Sequence, residues 1–208
     1  MNHSISCNIR AAVTRIVALP MAPGNSFARF GRNIVALALF SAVVGAQAAL
    51  PVGVVAPDFT VQAALAGKEF TFNLKQALGH GPVVLYFYPK SFTAGCTAEA
   101  HDFAEASARF EKVGATLLGM SHDNIATQKD FSQRECRDKF AVAADADAKV
   151  LRQYDVALTI MPNTAARVSF VISPQGRILY VYDSMNPDQH VSNTLKALQD
   201  WHDLGEGR

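Results

Sequence analysis

Two residues three apart, Thr93 and Cys96, stand where this chain could carry out sulfur chemistry. They follow the apolar run Val83-Val84-Leu85-Tyr86-Phe87-Tyr88, short, rich in β-branched and aromatic side chains and closed by Pro89, which is the pattern of a buried central strand. From about Ala94 to Lys112 the chain is alanine-rich and punctuated by Glu99, Glu105 and Glu111, which predicts a helix. Cys96 then falls in that helix's first turn. Backbone N–H groups there lack intrahelical partners and the helix dipole is positive, a setting that favours thiolate over thiol. A free thiol has a pKa of about 8.5, so a fall of about two units makes it mostly nucleophile at neutral pH. The Thr93 hydroxyl, on the same side of the turn, could hydrogen-bond the sulfur or an oxygen bound to it. A plainer reading stands beside this one. Cys96, Ala100, Phe103 and Phe110 recur at helical spacing on one face, and free cysteine is among the most buried residue types. Helix position alone leaves both readings open.

The elements that must hold this sulfur read off in order. Phe59 to Gln62 and Glu69 to Phe72, around Gly67, predict a hairpin. Val83 to Tyr88 and Ala115 to Ser121 predict parallel core strands joined by the Cys96 helix. A helix from about Asn124 to Arg134, a short strand near Phe140 to Ala143 and a helix near Asp147 to Tyr154 follow. Arg167 to Ile172 and Ile178 to Tyr182 form a second hairpin, with Ser173-Pro174-Gln175-Gly176 as its turn. The last helix, about Asp188 to Trp201, places Val191, Leu195 and Leu198 on one face. Strands alternating with helices and finishing in a hairpin plus helix predict an α/β sandwich with a mixed sheet.

Other chemistry has little support. The six histidines, His3, His80, His101, His122, His190 and His202, include no pair at metal-ligand spacing, and no metal is expected. Ser121-His122-Asp123 resembles a triad only on paper, because consecutive extended side chains point to opposite faces. With no glycine-rich phosphate loop, no G-x-G-x-x-G and no Cys-x-x-Cys, no bound cofactor is expected either. Asp145 and Asp147 read as caps for the helix that follows them. The mixed charges of Arg134-Glu135-Cys136-Arg137-Asp138-Lys139 read as a solvated helix end.

Residues 1–48 contain four arginines and no acidic residue, followed within that span by the uncharged stretch Ile34 to Ala46 and the small-residue pattern Ala46-Gln47-Ala48. That is the layout of a cleavable signal peptide, with cleavage expected after Ala48. Met21 as the true start would give a better-proportioned leader. The apolar stretch is too short to anchor the chain stably in a membrane. The expectation is therefore a periplasmic or secreted protein whose mature domain spans 49–208. Of 19 basic residues four lie in the leader, so the remainder carries 15 against 18 acidic ones, a net charge of −3. Such a surface gives no reason to expect nucleic acid as partner. Cys7 leaves with the leader, and Cys96 and Cys136 remain as a structural bridge, a catalytic pair, or one reactive thiol and one bystander.

Pro89-x-x-x-Thr93-x-x-Cys96, continuing as Thr97-Ala98-Glu99, resembles the signature of the peroxiredoxins, and similarity extends from about Val54 to Trp201. Ala56-Pro57-Asp58-Phe59, Ser121-His122-Asp123 and Arg167-Val168-Ser169-Phe170-Val171-Ile172 resemble further family segments, with the Q-type, or bacterioferritin-comigratory-protein, branch most similar. Ala94 stands where many members have proline, and His101 where several members of that branch carry a resolving cysteine. The resemblance implies a thioredoxin-like fold with a central mixed sheet and helices on both faces. It also implies a thiol peroxidase acting on hydrogen peroxide and organic hydroperoxides. Cys96 would be the peroxidatic thiol, oxidised to sulfenic acid, Thr93 and Arg167 would bind the peroxide oxygens, and Pro89 would shape the loop. Cys136 becomes the candidate resolving thiol, and a thioredoxin-like protein the reductant. The expected assembly is a monomer or weak dimer. Two alternatives remain: a thiol relay or chaperone of the same fold without peroxide turnover, and a copper-handling module, which Ala100, four residues after Cys96, disfavours.

Overall fold

Alternation along the central strand, β3 (Val83–Phe87), divides the core in two. Val84, Tyr86 and the following Tyr88 face one way, Val83, Leu85 and Phe87 the other, and all six are fully buried. The computed structural model describes residues 49–205. The expected leader, with Met21, Cys7 and the expected cleavage after Ala48, lies outside the described residues.

The described chain runs β1 (Thr60–Leu65), β2 (Lys68–Asn73), α1 (Leu74–Leu78), β3, α2 (Ala94–Lys112), β4 (Thr116–Ser121), α3 (Ile125–Arg134), β5 (Ala141–Ala144) and α4 (Lys149–Gln153). It continues through β6 (Ala157–Leu158), β7 (Met161–Ala165), β8 (Val168–Ile172), β9 (Ile178–Asp183), a 3-10 turn (Pro187–Gln189) and α5 (His190–Asp203). Seven strands form one mixed sheet in the order β2-β1-β5-β4-β3-β8-β9. The β3–β4 and β4–β5 pairs are parallel and the others antiparallel. Phe103, Phe110 and Ala100 of α2, Phe131 of α3, and Leu195 and Leu198 of α5 pack on the Tyr86 face. Leu74 and Leu78 of α1 and Val150 and Leu151 of α4 pack on the opposite face. This is the thioredoxin-like α/β arrangement, with helices on both faces of a mixed sheet.

Local chemistry accounts for the element starts. Asn73 and Asn124 cap α1 and α3, accepting from Gln76 N–H at 2.8 Å and Thr127 N–H at 2.9 Å. Asp145 accepts from the backbone N–H of Val150 and Leu151, and Asp147 from that of Lys149, so both act as the expected helix caps. Gly176 takes φ +77° in the β8–β9 turn, a left-handed conformation that glycine adopts without strain. Two elements go beyond the sequence expectations, α1 and the β6–β7 ribbon. α1 has only five residues, and β7 begins Met161-Pro162-Asn163, a proline and polar pattern that hides a strand. Among the described residues no helix is long and apolar enough to cross a membrane.

Candidate active site

Cys96 is the third residue of α2, and Thr93 is the residue that caps it. The Thr93 side chain makes no capping bond; its hydroxyl donates instead to the Lys90 carbonyl at 3.0 Å. Thr97 N–H to the Thr93 carbonyl, 2.8 Å, opens the helical ladder, so the N–H groups of Ala94, Gly95 and Cys96 precede it and remain free to bind an anion. Having donated its proton, the Thr93 hydroxyl presents lone pairs outward, suited to accept from a bound O–H. Cys96 itself is only 2% exposed.

Arg167, in the short link between β7 and β8, reaches the sulfur. Its Nη2 donates to Cys96 Sγ at 3.4 Å, its Nη1 pairs with Glu99 Oε2, and its Nε donates to the Met185 carbonyl at 3.1 Å. The arginine is buried too. Burial opposes its charge, but Glu99 and the Cys96 sulfur outweigh burial and hold its pKa above the ordinary value. Gly95 makes room for the guanidinium, since a Cβ there would lie 3.2 Å from Nη2. A sulfur at a helix start against a fixed cation is equipped to act as a nucleophile and to hold negative charge on a departing oxygen.

Behind Arg167 lies a second layer that the sequence reading did not single out. Glu99, fully buried, is pushed up by burial, against the pull of Arg167, to about 8. His190, from the start of α5, sets Nδ1 2.7 Å from the Ser169 hydroxyl and Nε2 2.9 Å from the Ser184 carbonyl. Burial, reinforced by Arg167, holds its pKa down at about 4, so the ring is neutral. The available signal was Glu99 itself, a carboxylate three residues after Cys96 on the apolar face of the helix.

The loop between β3 and α2 is pinned from beneath. Tyr88 OH donates to Gln128 Oε1 at 2.8 Å, and Gln128 Nε2 donates to the Ser121 hydroxyl and the Ala143 carbonyl. Asp123 accepts from Ser91 N–H at 2.7 Å and from the Ser121 hydroxyl at 2.8 Å. Ser121 and Asp123 therefore serve the loop, while the intervening His122 lies 3.4 Å from the Asp145 carbonyl. Pro89 sits half-buried at the bend that opens this loop. Phe92, exposed and at φ +62°, is held edge-on to Phe131, with the Arg134 guanidinium 5.2 Å from its ring centre.

Cys136 lies just past α3, wholly buried, and like Cys96 it is a free thiol. Burial pushes its pKa well up, with Glu135 and Asp138 adding to the effect. The two residues after it, Arg137 and Asp138, take φ +51° and +59°. His101, where relatives in the Q branch would carry a second cysteine, pairs with Glu135 at 2.9 Å.

A thioredoxin-like sheet that presents a helix-start cysteine to a buried arginine defines a class of thiol-based redox proteins. Residues 52–181 match the AhpC/TSA family, and the chain belongs to that family. It is 34% identical over 148 residues to a chloroplastic peroxiredoxin Q of Triticum aestivum, covering 71% of this chain and 66% of that one. It is 31% identical over 161 residues to the peroxiredoxin Q of Gentiana triflora, covering 77% and 72%. Among solved structures it resembles peroxidoxin BcpB from Mycobacterium tuberculosis, with a TM-score of 0.66 at 30% identity, covering 73% of this chain and 97% of that one. The chain spans 66% of the wheat relative and 54% of the rice relatives it matches.

Proposed function

We propose that this chain is a thiol-dependent peroxidase that reduces hydrogen peroxide and organic hydroperoxides at Cys96. The observation that carries the reading is the 3.4 Å contact between Arg167 Nη2 and Cys96 Sγ at the open start of α2. The thiolate attacks the terminal peroxide oxygen, forming S–O as O–O breaks, and the sulfur becomes sulfenic acid. The electron pair leaves on the second oxygen, which takes a proton and departs as water or alcohol. Thr93 accepts from the peroxide O–H, while Arg167 and the free N–H groups of the first turn hold the developing charge. Pro89 and the pinned loop keep bulk water from the sulfur.

Return to thiol follows from direct attack by an external, thioredoxin-like thiol on the Cys96 sulfenic acid, which forms S–S as S–O breaks and releases the oxygen as water. The mixed disulfide so formed is opened by that donor's second thiol, which leaves as a disulfide. Burial and a raised pKa make Cys136 a poor nucleophile in the folded state, which supports this route. A resolving role for Cys136 requires the turn after α3 to open, and the left-handed backbone at Arg137 and Asp138 is where it would begin. The acid-free leader supports action outside the cytoplasm.

Peroxide consumption with a small dithiol as reductant tests the reading. Cys96→Ser is expected to abolish turnover and Cys136→Ser to hold it within about twofold, because only the former removes the attacking thiolate. Full activity in Cys96→Ser overturns the assignment. A Cys96–Cys136 disulfide after one equivalent of peroxide overturns the direct return step.

A further inference from the structure

Arg167 divides its fork between Cys96 and Glu99, and the far oxygen of that carboxylate, Oε1, is buried without a hydrogen-bond partner. Facing it at 3.6 Å is His190 Nδ1, and both side chains are wholly shielded from solvent. The other ring nitrogen, Nε2, lies 2.9 Å from the Ser184 carbonyl, which can only accept, so Nε2 carries the proton of the neutral ring. Nδ1 is then an acceptor, and the Ser169 hydroxyl donates to it at 2.7 Å. A bare acceptor, Oε1, thus faces a second acceptor that only the Ser169 hydroxyl engages, in a dry core, an arrangement that costs free energy until a proton lies between them.

Charge counting points the same way. When Cys96 is a thiolate poised to attack, the cluster without an added proton would hold one cation, Arg167, against two anions, the sulfur and the Glu99 carboxylate; with it, one against one. The groups around Glu99 are Cys96 and Asp102 of its own helix, Tyr86 of β3, Arg167 ahead of β8 and His190 of α5. Around the imidazole stand Ser169 of β8, Tyr182 of β9 with its ring centre 4.7 Å away, and the Ser184 carbonyl. Asp188 of the 3-10 turn acts on Asp102. Among these groups only Arg167 carries a permanent positive charge.

We propose that His190 is a positioning residue for the reaction at Cys96, holding one proton jointly with Glu99 between Nδ1 and Oε1 so that the carboxylate does not draw the Arg167 charge away from the sulfur. Its effect on peroxide chemistry rests on the peroxidase reading above; the shared proton rests on the facing of Oε1 and Nδ1 and on the burial of both groups. The proton stays in the pair throughout and is not passed to substrate. Burial, which raises Glu99 to about 8 and lowers His190 to about 4, places it on the carboxyl side up to mildly alkaline pH. An isolated thiol only gains reactivity as pH rises. Here, once the proton leaves, Glu99 competes for Arg167 and the reactivity of Cys96 falls.

The test is the infrared band of a protonated carboxyl in the reduced full-length protein, followed from mildly acid to alkaline pH. We expect a band that disappears with a midpoint of about 8 and is missing from Glu99→Gln. His190→Asn offers an amide N–H to Oε1, which favours the ionised form and moves the midpoint down by about one unit. Ser169→Ala removes the hydroxyl that competes for Nδ1 and moves the midpoint up; it retains the ring and stands in where His190→Asn does not fold. Alkylation of Cys96 by iodoacetamide should slow above the midpoint in the wild type and lose that alkaline fall in Glu99→Gln. No band at neutral pH in the wild type, or an unmoved midpoint in a folded ring or serine variant, overturns the proposal. A wild type that shows the band and consumes no peroxide supports the shared proton and overturns the peroxidase reading alone.

Discussion

A single methyl group is enough to disturb the contact on which the chemistry depends. A Cβ on Gly95 would meet Arg167 Nη2 at 3.2 Å, so the guanidinium must give by a few tenths of an ångström or lose its aim at Cys96. Gly95→Ala is expected to slow peroxide reduction about tenfold, and Arg167→Gln about a hundredfold, the usual cost of losing one preorganised donor. Stopped-flow measurement of single-turnover oxidation separates the two. Glu99 leaves its mark on stability instead. Its carboxyl ordinarily titrates at 4.5 and in the folded protein at about 8, so between those values the native state binds more protons than the unfolded one. This contribution is complete below the lower value, declines as pH rises and is lost through the upper one. Thermal unfolding of the wild type should therefore fall across that window, and Glu99→Gln should flatten the fall.

At the level of elements, the site is a joint between β3, α2, α3 and β8. Gln128 of α3 ties Tyr88 at the end of β3 to Ser121 at the end of β4, so the loop carrying Pro89 and Ser91 rests on a buried polar network. Gln128→Leu leaves the Tyr88 and Ser121 hydroxyls short of a buried partner. It should cost about 2 kcal/mol in denaturant unfolding and also slow peroxide reduction, because the loop loses its floor. Most of these elements were legible in the sequence. The Val83 to Tyr88 run and the alanine-rich helix announce β3 and α2 by period and composition, Cys96 and Thr93 stand out at the start of that helix, and Arg167 is singled out by family likeness alone. What stayed hidden depends on tertiary approach. Glu99 reads as one polar residue among the helix's glutamates, and only the buried Arg167 explains its place on the apolar face. His190 gave no local signal, since its partners Ser169, Ser184 and Glu99 come from three separate segments. The Thr93 hydroxyl, expected near the sulfur, is bonded to the Lys90 carbonyl, a turn contact that residue spacing does not encode.

For the whole molecule, the sequence places the expected cleavage site after Ala48, at the Ala46-Gln47-Ala48 pattern. Export should be visible directly: expressed with its leader in a bacterial host, the protein recovered from the periplasm is expected to begin at Ala49, and N-terminal sequencing reads that residue. A full-length product retained in the cytoplasm would remove the extracytoplasmic assignment. Finally, a sulfur with 2% of its residue open to solvent accepts visitors by size. On the peroxidase reading, so little exposed sulfur gives the cysteine-bearing loop of another protein no surface to dock against. The direct return step proposed above would therefore require the opening turn of α2 to loosen, so that oxidant and electron donor would meet different shapes of one chain.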